Sequence, residues 1–295
     1  MKAGLMSPRN NKHPMESRIA TTSLLLTVCF CYAFTLYDAT LYRDKPDLSQ
    51  FGIKPIEVFY TQHVWPKGHS RDLPPPFEGV NHRLKKTSAK PGDFIVLDFE
   101  HWPLQGYRYK PWKYTISINN YTETIERFRA CRPDLSYGFF GVIPVNNFKR
   151  AISDPASKSY RIWRGDVQRL IPLTAKIDAA FPVAYTYNDD PEAWGTYFSA
   201  TMFEVKSIFD GEVYPFIWPQ YFDHAPTPEH LRLNYMKVSL WRHQLETVFK
   251  KADGVVIWGG WDFKNKRAAD WDDEAPWWNA TKTFISEHEI NHHDK

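Results

Sequence analysis

Asp98 and Glu100 are the residues whose types and spacing point most directly to chemistry. They lie near the end of the run Phe94-Ile95-Val96-Leu97-Asp98-Phe99-Glu100-His101-Trp102, which starts unbroken and apolar and turns acidic only at its C-terminal end. Such a run is the pattern of a strand buried on both faces. Side chains alternate along a strand, so Asp98 and Glu100 project to one side and Phe99 to the other. Two carboxylates confined together repel, and burial adds to the effect, so one keeps its proton beside an ionised neighbour. That pairing is what acid-assisted cleavage of a glycosidic bond requires. The same spacing also fits a strand end whose acids cap a helix or pair with Arg or Lys, and taken alone it leaves both readings open.

The elements around this strand define its setting. Strand-like apolar runs recur at residues 56–60, 94–100, 136–142, 180–185, 213–218 and 254–259. Helix-like segments follow most of them: residues 121–132 with Thr122 as candidate cap, 162–177, 191–209 with Asp190 as cap and Pro191 in the first turn, and a helix opened by Thr227 and Pro228 that runs to Lys251. Strands alternating with helices predict a parallel sheet. About 245 residues follow position 50, close to the ~250 typical of a (β/α)₈ barrel, so the expected fold is an α/β, distorted (β/α) TIM-type barrel of seven or eight strands. Polar and aromatic residues gather at the C-terminal strand ends: Asp98, Glu100 and Trp102; Tyr185 and Tyr187; Trp218 and Tyr221; Trp258, Trp261 and Asp262. In a parallel barrel those ends form one face, where Trp and Tyr rings can stack on sugars while their polar tips bond hydroxyls. Any one of these rings also suits core packing; their recurrence at equivalent positions is the signal.

Composition bounds the rest. Hydrophobic residues at 43% and aromatics at 16% suffice for a packed core. The net charge of +3 is carried by Lys2, Arg9, Lys12 and Arg18 against Glu16, which leaves the remainder neutral and predicts no nucleic-acid partner. Residues 19–36 carry no charge and follow that basic stretch, as in a signal anchor or signal peptide. The expected organisation is a basic region at 1–18, the signal segment at 19–36, a connector at 37–50, the catalytic barrel at 51–288 and a polar tail at 289–295. The domain is then exported, either anchored in a membrane through its N-terminal segment alone or secreted. Cys29, Cys31 and the solitary Cys131 allow no disulfide framework in the domain. His288-Glu289-Ile290-Asn291-His292 matches the zinc-binding H-E-x-x-H pattern, yet it stands in the polar tail with no third ligand after it, so no metal is expected. Phosphate-binding glycine motifs and a G-x-S-x-G elbow are absent from the sequence, and no cofactor is expected. Asn120-Tyr121-Thr122 and Asn279-Ala280-Thr281 are glycosylation sequons.

The run from Phe94 to Trp102 resembles the acid strand of the hyaluronidase family of glycoside hydrolases. Phe181-Pro182-Val183-Ala184-Tyr185 resembles that family's Phe-Pro-x-x-Tyr strand, and Gly254-Val255-Val256-Ile257-Trp258-Gly259 its last barrel strand. The resemblance implies cleavage of β-linked glycans containing N-acetylhexosamine, with the substrate's acetamido oxygen as nucleophile. It implies Glu100 as general acid and base, Asp98 orienting the acetamido group, Tyr185 bonding the acetamido oxygen and Trp258 walling the sugar. Trp102, Tyr187, Trp218, Tyr221 and Trp261 join Trp258 as expected substrate-binding residues, and a polysaccharide or oligosaccharide is the expected partner.

The sequence departs from the family at several places. Val213 to Tyr221 matches only loosely the strand that carries a further active-site tyrosine, with Phe216 in that place; the first-strand Asn-x-Pro is missing after Tyr60, and the family's disulfides cannot form. Arg83, Lys85, Lys86 and Lys90 offer a basic strip to an anionic glycan. A muramidase-like or chitinase-like hydrolase and a non-catalytic glycan-binding barrel remain alternatives. Fractionation of cells making the full-length chain is expected to find it with membranes or outside the cell; soluble cytosolic protein with an intact N-terminus would refute the export expectation.

Overall fold

The computed structural model describes Met1 and residues 34–106 and 110–290. The expected basic region, most of the expected signal segment and the end of the polar tail with His292 lie outside the described residues. The described chain is a mixed α/β domain built on parallel sheets. Among the described residues no helix is long and apolar enough to cross a membrane.

The first strand lies where the sequence predicts the signal segment and the connector. Thr35–Thr40 (β1) pairs in parallel over its whole length with Gly254–Gly259 (β9), from Thr35 opposite Gly254 to Thr40 opposite Gly259. Leu36 reads in sequence as the end of the apolar run and Tyr37 and Ala39 as the connector, so the strand spans a boundary the sequence places at residues 36 and 37. Lys54–Pro55 (β2) pairs with β1, and the same stretch of chain continues as Glu57–Tyr60 (β3), which pairs with Phe94–Asp98 (β4). β4 pairs in turn with Ser136–Phe139 (β5). A parallel bridge between Phe140 and Phe181 leads to Ala179–Ala180 (β6), which pairs with Glu212–Val213 (β7). Phe216–Ile217 (β8) pairs with β9.

Helices follow these strands. Thr61–Val64 (α1) and Phe77–Leu84 (α2) follow β3, and Pro111–Cys131 (α3) follows β4. The α3 helix begins ten residues before the predicted Tyr121, because Pro111 supplies the fixed φ of a first turn, and Thr122 sits mid-helix rather than at a cap. The stretch predicted as one helix over 162–177 divides into Lys158–Gln168 (α5) and Ile171–Thr174 (α6), behind a single turn at Phe148–Ala151 (α4). Pro191–Lys206 (α7) is capped as the sequence predicts, with the Asp190 carboxylate accepting from Glu192 N and Ala193 N. Val238–Phe249 (α8) starts well after Thr227. Residues 227–237 instead fold back on the chain beyond β8: Tyr221 N donates to Asn234 O, Leu233 N to Tyr221 O and Met236 N to Pro219 O. These tertiary backbone bonds replace the helical ones that Thr227 would have capped. An antiparallel hairpin, Trp261–Asp262 (β10) with Arg267–Ala268 (β11), and the helix Pro276–Glu287 (α9) complete the domain.

Alternation along β4 places its residues as expected. Phe99 is fully buried against Trp65, Phe128 and Phe139 on the helix side. Phe94 points the other way and joins Tyr37, Phe181 and Tyr214 in a closed circuit of ring contacts at 5.2–6.2 Å. Gly138 makes room for this layer, since a Cβ there would lie 2.3 Å from Ala179 O and 2.6 Å from the Phe181 ring. Asn120 is buried within α3 and donates to Asp72 O, so its sequon is closed once the domain folds; Thr281 of the other is fully buried. Removal of β1 leaves the facing edges of β2 and β9 unpaired. A chain starting at Phe34 is expected to melt cooperatively, whereas one starting at Phe51 should show no cooperative transition by circular dichroism.

Candidate active site

Because the strands are parallel, their C-terminal ends open on one side, and β4 delivers its two acids there. Asp98 and Glu100 line one cavity of about 280 Å³ together with Tyr60 at the end of β3, Tyr185, Trp218 and Trp258. Asp98 is the last residue of β4; Glu100 lies two residues on, with its side chain more open to solvent. Burial, then the charge of Glu100, pushes the Asp98 carboxyl up to about 7. Burial in the surrounding protein also raises Glu100, despite its exposure at the mouth. The pair therefore takes up its first proton near neutrality and holds it in a space walled by aromatic rings.

The loop that carries Glu100 is braced from behind. The Tyr121 hydroxyl, on α3, lies 2.8 Å from the carbonyl of Phe99 and 3.3 Å from that of Trp102, so one side chain holds the backbone on both sides of Glu100. Trp102 donates its indole N–H to Arg71 O at 2.8 Å and packs edge-on against Tyr121 at 5.0 Å. Gly141, at φ +67°, brings the chain after β5 so close that a Cβ would sit 3.7 Å from Glu100 Oε1. A side chain there would be strained by the positive φ and would press on Val183 Cγ2 at 3.1 Å.

Tyr185 is enclosed by four rings, those of Phe140, Trp218, Phe222 and Trp258, at 5.6–6.0 Å between centroids. Burial holds its phenol well above the usual range, and Tyr60, Asp98 and Glu100 add to the effect, so Tyr185 stays a hydrogen-bond donor. Trp258 donates its N–H to the Tyr60 hydroxyl at 3.0 Å. Burial pushes the Tyr60 phenol up to about 12 in spite of that bond, leaving its own proton free to donate into the cavity. Trp218 meets Trp258 edge-on at 4.8 Å and is fixed by donation to Gln220 Oε1 at 3.0 Å.

Asp98, Glu100, Tyr185, Trp218 and Trp258 thus come together as the sequence predicts, and four other predicted residues do not join them. Trp102 lies on the far side of Glu100 with its indole N–H engaged, as a brace. Tyr187 is buried, accepts from Asn146 Nδ2 at 3.0 Å and borders a neighbouring cavity. Tyr221 is 3% exposed and lies in the backbone pairing with residues 233–234. Trp261 belongs to the β10–β11 hairpin, because Gly259 at φ +152° and Gly260 at φ +78° turn the chain out of the strand and end its alternation. Sequence reasoning missed Tyr60, Asn146, Phe140, Phe222, Asp223, His224 and Phe263, all on the cavity wall. Tyr60 ends a predicted strand, so the rule that found Asp98 applies to it too, and Phe140 lies within the predicted run 136–142; the others sit on loops with no periodic signal. Of the basic strip, Arg83 and Lys86 face a separate cavity with Lys67, and Arg83 is paired with Glu57 at 2.9 Å. His288 bonds Glu246 Oε1 at 3.0 Å, and among the described residues no group of three His, Cys, Asp or Glu is arranged to hold a metal ion.

No family model and no curated protein sequence matches this chain. Its shape does match. The crystal structure of bee venom hyaluronidase superposes with a TM-score of 0.59 at 14% identity, covering 87% of this chain and 97% of the other. The same enzyme solved in complex with a hyaluronic acid tetramer gives 0.57 and 14%, covering 88% and 96%. The fold is hyaluronidase-like. At this identity the likeness is one of architecture, and the chemistry has to be argued from the cavity itself.

Asp98 carries a consequence for stability. Its carboxyl binds a proton more tightly in the folded state, at about 7, than at its ordinary value of 3.8. The stabilisation is full below the ordinary value and is lost as pH rises through about 7. Asp98→Asn is therefore expected to raise the unfolding midpoint at pH 8 relative to the parent, by several degrees, with the gap closing toward pH 4. An equal gap at both pH values in thermal melts would show that Asp98 is not held protonated.

Proposed function

We propose that this protein is a glycoside hydrolase that cleaves β-linked glycans containing N-acetylhexosamine, hyaluronan-like polymers among them, from a distorted seven-stranded (β/α) barrel. The observation that carries the reading is the Asp98–Glu100 pair, side by side at one strand end in an aromatic cavity of a hyaluronidase-like fold. The barrel reading is supported by the pairings, which link seven stretches of chain in a ring: β1, β2 with its continuation β3, β4, β5, β6, β7 with its continuation β8, and β9, which returns to β1. The ring circuit of Tyr37, Phe94, Phe181 and Tyr214 is a layer of the kind that fills such barrels. The bound tetramer in the bee venom structure supports a glycan of that type as the class of substrate. Export through the N-terminal segment belongs to the same proposal.

In this reading Glu100 protonates the glycosidic oxygen and afterwards takes a proton from water. Asp98 accepts from the acetamido N–H, which makes the acetamido oxygen a better nucleophile and offsets positive charge as the ring closes. Tyr185 donates to that oxygen, with Tyr60 beside it as a further donor. Trp258 and Trp218 supply the apolar wall.

A second reading rests on Asp223, which lines the same cavity with an oxygen 2.6 Å from His224 Nδ1. As a base on water, Asp223 would give inversion, whereas the acetamido route gives retention. Proton NMR of the first-formed product separates the two.

Glu100→Gln keeps shape and hydrogen bonding but delivers no proton. On a panel of hyaluronan, chondroitin, chitin oligosaccharides and peptidoglycan, it is expected to reduce turnover of the best substrate by roughly 10²–10⁴-fold. A loss below about tenfold would remove Glu100 from the role of acid.

A further inference from the structure

Asn146 stands where three cavities meet. One holds Asp98 and Glu100; a second, beyond Glu100, is lined by Trp102, Gln105 and Gly141; a third is lined by Phe148 and Tyr187. Glu100 and Asn146 are the two residues common to the first and second cavities. A glycosidic bond presented to Glu100 therefore passes Asn146 as the glycan crosses from one cavity to the next.

The side chain is held between two tyrosine hydroxyls. Asn146 Oδ1 accepts from the Tyr197 hydroxyl at 2.9 Å, and Nδ2 donates to the Tyr187 hydroxyl at 3.0 Å. Both tyrosines are buried, at 1% and 4% exposure, and Tyr197 is tied to Val183 O at 2.5 Å. The backbone is fixed as well: Gln105 Nε2 donates to Asn146 O at 2.9 Å and Trp163 Nε1 to Val145 O at 2.8 Å. The single hydroxyl hydrogen of Tyr197 is shared between Asn146 Oδ1 and the nearer Val183 O, and the Tyr187 hydroxyl takes a hydrogen from the amide nitrogen. An amide nitrogen carries two hydrogens, and Tyr187 takes one. The second meets no acceptor among the described residues, on a half-buried side chain that borders all three cavities.

We propose that Asn146 positions the sugar on the leaving-group side of Glu100, by donating its second amide hydrogen to a hydroxyl or linkage oxygen of that sugar. This rests on the glycosidase reading and adds to it a specificity residue outside the acid strand. A donor already fixed by two buried partners loses little freedom when the glycan arrives, so the bond contributes to placing the scissile oxygen against Glu100. Tyr187 acts only through Asn146, as a positioning residue.

The test compares two substrates that share the sugar being cleaved: a chitin tetrasaccharide, and an aryl β-N-acetylhexosaminide whose leaving group offers no sugar hydroxyl. Asn146→Ala is expected to lower kcat/KM on the tetrasaccharide roughly ten- to a hundredfold more than on the aryl glycoside. Tyr187→Phe, which frees the amide but leaves the wall beside Glu100 intact, should show the same discrimination in smaller measure. Thermal melts establish that each variant is folded. Equal losses on both substrates, or no loss on the tetrasaccharide, would overturn the proposal. Should the parent protein cleave neither of these two substrates, the glycosidase reading rests on the wider panel above, and binding decides for Asn146: calorimetric affinity for the tetrasaccharide is compared in Glu100→Gln with and without Asn146→Ala. A drop of about tenfold or more upholds the role of Asn146, and equal affinity or no binding refutes it.

Discussion

Two carboxylates confined at the end of one strand are the constraint on which the rest of this structure depends. Asp98 and Glu100 project into the same aromatic-walled cavity, where burial raises both and the charge of Glu100 raises Asp98 further. A proton held by the pair relieves that repulsion, and in the proposed reaction a proton is what the leaving group takes. Stability and chemistry thus oppose each other at one place. A neutral pair would be easier to bury, and a fully ionised pair could not protonate a leaving group.

The surroundings keep the pair where repulsion would otherwise separate it. β4 fixes Asp98 through parallel pairing on both sides, with β3 and with β5. Past the strand end no ladder remains, and Tyr121 takes over by holding the carbonyls of Phe99 and Trp102. Trp102 extends the brace to Arg71, and Gly141 allows close approach on the opposite side. The cage around Tyr185 performs the corresponding task for the phenol, whose buried hydroxyl stays protonated and so complements a cavity that already holds two acceptors. Binding groups of this kind function because their own positions are fixed by packing behind them.

The sequence by itself determined what depends on local periodicity. The apolar run of β4 and its acidic end specify a buried strand with Asp98 and Glu100 on one side and Phe99 on the other, and the side chains lie so. Asp190 followed by Pro191 specifies the start of α7 for equally local reasons, since the cap bonds reach only two or three residues ahead. Trp258 within β9 and Trp218 one residue past β8 were legible as strand-end aromatics, while Tyr185, five residues past β6, reaches the cavity between the isolated bridges of Val183 and Thr186.

Only the tertiary structure decided the rest, because cavity membership depends on where the chain turns after a strand ends. Trp261 stands two residues past its strand, as Glu100 does, yet Gly259 and Gly260 redirect it, and backbone pairing with Leu233 and Asn234 captures Tyr221. β1 is a strand because β9 offers it a full-length partner some two hundred residues away in sequence, a pairing no local window contains. Asn146 gains its place from Tyr187, Tyr197 and Gln105, three contacts from distant parts of the chain that converge on a loop with no pattern of its own. Periodicity is a property of neighbours along the chain, and a binding site is a property of neighbours in space.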